Sequence, residues 1–314
     1  MESPRVWVAA LVGVSLAMGC GSRAAGSGSR AATRPRPAPR SSPGDAVDAE
    51  LERLVASGAT RAAVVVLDPR DGRLLAAAGR GPDGDYEASR ELPMGSTIKP
   101  LTVAAALEAG LDPRERFDGE GGRWQADART SLRDYRPHGS LTVEQVLVTS
   151  SNIGAGKIVQ RVGEAPIAAL FDRVGARVPD EGSWMTHGAG IDVRMSALRL
   201  AVAYGALANG GFAIQPTTSG RGARRRILSE PTATAVRDML GAAVSDEGTG
   251  RRARIVGIPV GGKTGTTGDG AAVFAGIAPL NAPRFVIVVR VEQEGAVGGA
   301  VAAPAFARIA AHLL

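Results

Sequence analysis

Residues 62–78 read AAVVVLDPRDGRLLAAA. Residues 62–67 form a continuous apolar run rich in β-branched side chains, which favours a buried strand. Residues 68–72 carry Asp, Pro and Gly, the residue types of tight turns. Residues 73–78, which are apolar after Arg73, are predicted to form a second strand. The stretch therefore predicts a β-hairpin.

Three further strands are predicted near the C-terminus, and helical patterns occupy most of the chain between the two groups of strands. The strands are 260–266, 271–277 and 284–292. The helices are 47–57, 97–109, 142–162, 164–174, 194–208, 231–243 and 302–314. Strands at both ends with helices between them are typical of an α+β fold. We expect one antiparallel five-stranded sheet, flanked by helices, that collects both ends of the chain, with an all-helical subdomain in the middle.

The composition describes a chain that buries a sizeable core. It has 314 residues, of which 44% are hydrophobic and 22% charged, and these values exclude a disordered or collagen-like protein. The formal charge is +6, but residues 21–44 hold five arginines and no acidic residue, and the chain is nearly neutral from residue 45 onward. With only three Tyr and three Trp as well, a basic groove for nucleic acid is not expected.

The N-terminal segment is predicted to direct export. Val6–Met18 is an apolar run too short for a stable membrane span but suited to a secretory signal. It precedes Cys20, the single cysteine, which excludes a disulfide framework. Residues 16–20, LAMGC, resemble a bacterial lipobox, in which the cysteine thiol is acylated and anchors the protein to a membrane. The alternative is ordinary signal cleavage after Gly19.

Three segments are therefore expected. Residues 1–20 are a signal peptide, and residues 21–44 form a disordered tether because they contain Gly, Ser, Ala, Arg and Pro but no larger aliphatic side chain. Residues 45–314 form the folded domain. The expected location is the bacterial cell envelope, with the domain facing the periplasm or the outside.

Lysine carries the first chemical clue, because the chain has 34 arginines and only three lysines. A buried lysine can lose its proton and an arginine cannot. Lys99 lies in MGSTIKP (94–100), three residues after Ser96, so both side chains lie on the same side of a helical turn. A neutral amine there can take the proton of the hydroxyl and make it a nucleophile. The Ser96 N–H, at a helix N-terminus, is a natural half of an oxyanion hole.

Another lysine, Lys263, lies in KTGT (263–266), near the start of the predicted strand 260–266. A cation and hydroxyls on an edge strand can bind a carboxylate while the strand backbone pairs with a peptide-like substrate. Gly265 leaves room for a close approach to the backbone. The alternative interpretation is a solvated strand end. A third segment, TSSN (149–152), places a hydroxyl and an amide at the junction of two apolar helical runs.

In chain order the three segments give Ser-x-x-Lys at Ser96 and Lys99, Ser-x-Asn at Ser150 and Asn152, and Lys-Thr-Gly from Lys263. With this motif set the chain resembles the transpeptidase domain of penicillin-binding proteins and, more distantly, serine β-lactamases. The resemblance implies the fold of that family and a serine acyl-enzyme mechanism without cofactor or metal.

The resemblance covers about residues 60–314. GSTIKPLTVAAALEAG (95–110) is similar to the family's nucleophile helix, and LTVEQVLVTSSNIGAGKI (141–158) to the segment that carries its second motif. One departure precedes the nucleophile. The family usually has Pro-Gly-Ser, whereas Met94 here separates Pro93 from Gly95.

The family's site residues carry over to matching positions. The resemblance implies that Ser96 is the acylated nucleophile and Lys99 the base that activates it. Ser150 would relay a proton to the leaving amine, and Asn152 would bind the substrate's amide.

The third motif would bind substrate. The resemblance implies that Lys263 and Thr264 hold the substrate carboxylate and tune Ser150. Thr266 would supply the second oxyanion-hole N–H, and Gly265 lies between these two threonines.

Three functions are compatible with these motifs. The first is a D,D-transpeptidase or D,D-carboxypeptidase that acts on the D-Ala-D-Ala end of peptidoglycan stem peptides and binds β-lactams. The second is a β-lactamase, which in the class with Ser-Asp-Asn needs a glutamate in Glu-x-x-x-Asn. At the distance after Ser-x-Asn where that class has its glutamate, the nearest acid is Glu181, which is followed by Gly-Ser-Trp-Met and does not fit the pattern. The third is a non-catalytic β-lactam or muropeptide sensor, which would show a broken motif, and none is broken. The sequence does not indicate an oligomeric state.

The remaining titratable candidates fit no site. Lys157 lies outside the motifs and is expected to be solvated or to cap a helix. His138, His187 and His312 are isolated, without carboxylates or cysteines at metal-ligand spacing, so no metal site is expected. His138 lies on a predicted loop that can border the cleft.

Overall fold

A computed structural model of the chain describes residues 42–82 and 88–314. Cys20, the predicted signal peptide and most of the predicted tether lie outside the described residues. Within those two ranges, no helix combines the length and the apolar character needed to cross a bilayer.

The described part of the chain contains nine α-helices and thirteen strands. The helices are α1 (Pro43–Ala56), α2 (Lys99–Glu108), α3 (Val143–Thr149), α4 (Asn152–Val162), α5 (Glu164–Val174), α6 (Trp184–Gly188), α7 (Ala197–Ala208), α8 (Glu230–Ala242) and α9 (Ala302–Leu313). The long strands are β1 (Arg61–Leu67), β2 (Leu74–Arg80), β11 (Gly261–Thr266), β12 (Ala271–Ala278) and β13 (Phe285–Glu292). The short strands are β3 (Leu92–Pro93), β4 (Arg116–Asp118), β5 (Arg123–Gln125), β6 (Ser131–Arg133), β7 (Ser140–Thr142), β8 (Arg194–Met195), β9 (Phe212–Ile214) and β10 (Arg224–Arg226).

The five long strands form one antiparallel sheet in the order β11-β12-β13-β1-β2. The predicted hairpin is present, and its first strand pairs on its other side with the last strand of the chain, with Val64 opposite Val289. This arrangement confirms the α+β fold with a five-stranded sheet that collects both ends of the folded part.

Both faces of the sheet are covered, which explains why residues 62–67 are apolar without alternation. Val64 and Val66 pack in a core with α1 and α9, whereas Val65 and Leu67 face the larger core formed with the helices of the middle part. A strand buried on both faces has no position that favours a polar side chain.

Most predicted helix boundaries lie within two residues of the observed ones, and three differences are larger. Helix α1 begins at Pro43, four residues early, because the Ser42 side chain caps it and Asp45 completes a capping box. The predicted helix 142–162 is two helices, and Ser150, at their junction, has a left-handed backbone with φ of 62°. Helix α7 begins only at Ala197, after a Ser cap.

The middle part of the chain also contains short strands that were not predicted. They form four two-stranded sheets, which pair β3 with β8, β4 with β7, β5 with β6 and β9 with β10. Strands of two or three residues are too short to give a periodic pattern. The subdomain therefore has a helical core and β-ribbons at its edges.

An ion pair connects helix α1 to helix α9. Glu50 on α1 is buried, and the Arg308 guanidinium on α9 donates to both of its carboxylate oxygens, at 2.8 and 2.5 Å. A second cation, Arg53, lies 3.7 Å from Glu50 but is mostly exposed.

We predict that Arg308→Ala lowers the free energy of unfolding by about 2 kcal/mol, because it leaves a buried carboxylate without its bidentate partner. Urea unfolding followed by circular dichroism measures the change. The control is Arg252→Ala, which removes an exposed guanidinium that has no hydrogen bond or ion pair within residues 42–82 and 88–314. Equal losses for the two variants would contradict the prediction.

Candidate active site

The first motif lies on a tight turn that leads directly into a helix. A 3-10 turn spans Gly95–Ile98, and α2 starts at Lys99, which points the Ser96 and Lys99 side chains in the same direction. The Lys99 Nζ donates to Ser96 Oγ at 2.6 Å. Gly95 has φ of 55°, and a Cβ there would lie 2.8 Å from the backbone oxygen of Thr266, so the turn packs directly against β11.

Lys99 is fully buried and held by three acceptors, two of which come from distant segments. Besides Ser96, its Nζ donates to Asn152 Oδ1 at 2.7 Å and to the Ala189 carbonyl at 2.9 Å. Burial lowers the pKa of Lys99 to about 7, against a weaker opposing effect of the Asp134 charge. An amine with this pKa is partly neutral near pH 7 and can accept a proton.

The second and third motifs meet at Ser150. The Lys263 Nζ, also fully buried, donates to Ser150 Oγ at 2.7 Å and to the Thr264 carbonyl at 3.1 Å. Desolvation, together with the charge of Lys99, lowers the pKa of Lys263 well below its ordinary value. Ser96, Lys99, Ser150, Asn152 and Lys263 thus lie in one cluster built around two buried amines.

Asp134 is part of this cluster, and the sequence analysis missed it. Its carboxylate accepts hydrogen bonds from Ser151 Oγ at 2.6 Å, from the Asn152 N–H at 2.6 Å and from the Ile153 N–H at 3.1 Å. These bonds satisfy the first N–H groups of α4 and fix the segment that presents Asn152. No motif spacing links Asp134 to the helix 18 residues later, so only the fold reveals this role.

The threonines of the third motif have partners on neighbouring loops. The Thr264 hydroxyl donates to Thr249 Oγ1 at 2.7 Å, and the Gly298 N–H donates to Thr266 Oγ1 at 3.2 Å. A Cβ on Gly265 would lie 2.6 Å from the Met94 carbonyl. In the structure, the close neighbour of Gly265 is therefore the turn that carries Ser96, whereas the approach of a substrate at this residue stays a prediction.

Met94, which separates Pro93 from Gly95, is accommodated in the core. Met94 is fully buried, and its carbonyl accepts the Thr97 hydroxyl at 2.7 Å within the turn. The carbonyl of Thr97 in turn accepts the buried Tyr204 hydroxyl at 2.8 Å. The departure from Pro-Gly-Ser thus leaves the turn geometry intact.

Lys157 does not join the two buried amines. It forms an ion pair with Glu120 and lies over the ring of Trp124, with Nζ 5.3 Å from the centroid. It is therefore neither freely solvated nor a helix cap. The part of the chain that the structure describes contains no group of three His, Cys, Asp or Glu side chains arranged to hold a metal ion.

We predict that Lys99 in the folded protein titrates with a midpoint near pH 7, since burial disfavours its charged form. With only three lysines in the chain, ε-¹³C-lysine labelling gives few NMR signals, and Lys99→Arg identifies the one from Lys99. The control is the protein in urea, where the same signal should titrate at about 10.4. A folded-state midpoint above 10 would contradict the prediction.

Comparison with known proteins places the chain in a family. The family model "Penicillin binding protein transpeptidase domain" matches residues 62–311. The "Probable peptidoglycan D,D-transpeptidase PenA" of Neisseria gonorrhoeae is 30% identical over 297 residues, which cover 78% of this chain and 50% of the relative. "Penicillin-binding protein PbpB" of Mycolicibacterium smegmatis is 30% identical over 330 residues, with 82% and 51% covered.

Comparison with solved structures supports the same family. The transpeptidase domain of Burkholderia pseudomallei penicillin-binding protein 3 superposes with a TM-score of 0.77 and 28% identity, covering 87% of this chain and 93% of that structure. The chain spans about half the length of the curated relatives it matches. The motif residues, the sheet order and both comparisons lead to one conclusion: the chain belongs to the penicillin-binding protein transpeptidase domain family.

Proposed function

We propose that the protein is a peptidoglycan D,D-transpeptidase, or a D,D-carboxypeptidase, that works through a covalent acyl-enzyme on Ser96. The observation that supports this most directly is the contact between Lys99 Nζ and Ser96 Oγ, because the amine is fully buried and its pKa is about 7. A hydroxyl beside a partly neutral amine is an activated nucleophile. Relatives named as D,D-transpeptidases give independent support.

In the acylation step, neutral Lys99 takes the hydroxyl proton while Ser96 Oγ attacks the carbonyl carbon between the two D-Ala residues. The developing oxyanion accepts hydrogen bonds from the backbone N–H groups of Ser96 and Thr266. The C–N bond then breaks as Ser150 gives its hydroxyl proton to the departing D-Ala amine and receives in exchange the proton that Lys99 took from Ser96, which returns Lys99 to its neutral form. The ester on Ser96 remains.

Deacylation uses the same groups in reverse. An amine from a second stem peptide, or water, attacks the ester carbonyl and gives a proton to neutral Lys99, which passes a proton to Ser96 Oγ as the Ser96–carbonyl bond breaks. An amine makes the protein a transpeptidase, and water makes it a carboxypeptidase. Throughout, Asn152 orients the substrate amide. Its own side chain is fixed, because its Oδ1 accepts from Lys99 and its Nδ2 donates to the Arg133 carbonyl.

Substrate binding is assigned to the third motif. We infer that Lys263 and Thr264 face the carboxylate that D-Ala-D-Ala and penicillins share. A carboxylate there favours the charged form of Lys263, opposing the burial that lowers its pKa. Gly265, which has no side chain, lets β11 lie close against the turn that carries Ser96.

The first test is acylation by a fluorescent penicillin. We predict stable labelling over hours for the parent, no labelling for Ser96→Ala, and a loss of roughly three orders of magnitude in the second-order rate for Lys99→Arg, which keeps the charge but cannot act as a base. Rapid loss of label would indicate a β-lactamase, and no label on the parent would indicate a binding module. Near-normal acylation of Lys99→Arg would contradict the role of the base.

The second test separates binding from chemistry. We predict that Ser96→Ala still shows a rise in melting temperature with high β-lactam concentrations, since its carboxylate site is intact. Lys263→Ala should lose this rise and most of the acylation rate, and Lys263→Arg should recover part of both. If Lys263→Ala acylates at the parental rate, Lys263 has no role in substrate binding.

We further propose that the protein acts in the bacterial cell envelope and is anchored through an acylated Cys20. The support is the apolar run Val6–Met18 followed by LAMGC. In that case Cys20→Ser should move the protein from the detergent phase to the soluble fraction in a phase-partitioning assay. Unchanged partitioning would exclude the lipid anchor.

A further inference from the structure

The hairpin of β5 and β6 borders the candidate active site. The Arg133 carbonyl at the end of β6 accepts the Asn152 Nδ2 at 2.8 Å, and the next residue, Asp134, binds the start of α4. Asn152 itself contacts the buried amine of Lys99. The end of the hairpin is thus one hydrogen bond away from a residue of the catalytic cluster.

Two arginines face each other on this hairpin. Arg123 on β5 is the cross-strand partner of Arg133 on β6, so both side chains lie on the same face of the ribbon, and both are exposed. Neither guanidinium has an ion pair or a side-chain hydrogen bond among the described residues. Like charges directly opposite one another are destabilising. The protein thus carries an unneutralised pair of cations at the border of its site.

The carboxylates in and beside the hairpin have other partners. Asp134 uses both oxygens on the start of α4, and Glu120 pairs with Lys157. Asp127, in the turn of the hairpin, accepts backbone N–H groups of that turn. The two guanidiniums are therefore available for an anion supplied from outside the chain.

An exposed aromatic side chain follows the hairpin in sequence. Tyr135, two residues after Arg133, is 98% exposed. Its ring offers an exposed apolar face, which suits contact with the aliphatic part of a peptide side chain.

We propose that Arg123 and Arg133, together with Tyr135, bind a side-chain carboxylate of the stem peptide, separate from the terminal carboxylate that Lys263 faces. The planar fork of each guanidinium matches the two oxygens of a carboxylate. This inference rests on the proposed function, because it names a second recognition element of the same substrate. It makes the protein selective for stem peptides with a free acidic side chain over amidated ones.

The test compares two synthetic donor peptides that end in D-Ala-D-Ala and differ only in a preceding side chain, which carries either a carboxylate or a carboxamide. The parent should use the carboxylate donor about fivefold better in kcat/KM, the size expected for two exposed charge contacts. Arg123→Gln/Arg133→Gln should abolish the preference. Its melting temperature should not fall, because the substitutions remove a repulsive pair.

The matched control is Arg221→Gln/Arg224→Gln, which removes two exposed guanidiniums on and beside the β9–β10 ribbon. It should keep the parental preference, which excludes a general effect of net charge. A second arm places the carboxylate or carboxamide on the amine acceptor instead. A preference in the first arm assigns the carboxylate to the donor peptide, and a preference in the second arm assigns it to the acceptor.

A parent without preference in either arm would overturn the inference, as would a double variant that retains the preference. Both results leave the proposed function standing if the parent is still labelled by penicillin. Absence of penicillin labelling would overturn the proposed function itself, so the two failures are distinguishable.

Discussion

The amines of Lys99 and Lys263 are both fully buried, and much of the surrounding architecture follows from that constraint. Moving an ammonium group out of water costs several kcal/mol unless it is neutralised or hydrogen-bonded. Two such groups that repel each other cannot both stay charged at low cost. The fold meets the constraint with acceptors from four parts of the chain, contributed by Ser96, by Ser150 and Asn152 at the α3–α4 junction, by Ala189 and by Thr264.

Holding those acceptors in place requires unusual local backbone. Ser150 adopts a left-handed conformation that costs a non-glycine residue about 1 kcal/mol. The capping of α3 by Thr142, the binding of the start of α4 by Asp134 and the bond from Lys263 offset this cost. The break between α3 and α4 is thus the means by which a hydroxyl and an amide are aimed at two different amines.

The sequence contained enough to predict the sheet and the motif residues. The run at 62–67 and the three C-terminal strands have lengths and side chains that few other structures accommodate, and Ser96 and Lys99 share one turn, so local geometry brings them together. Contacts between distant segments were beyond such reasoning. Asp134 and the Ala189 carbonyl carry no motif, and the cross-strand pair of Arg123 and Arg133 depends on strands of three residues.

The pairing of β1 with β13 has a consequence for the time course of folding. Val64 pairs with Val289, so β1 lacks one of its two neighbouring strands until residues 285–292 are available. Contacts this distant in sequence slow folding, and an apolar strand with an unpaired edge is prone to aggregate in the interval. Strand β2 covers only the other edge of β1, so in a newly made chain the edge of residues 61–67 that faces β13 stays open to other chains until the C-terminal strand is made.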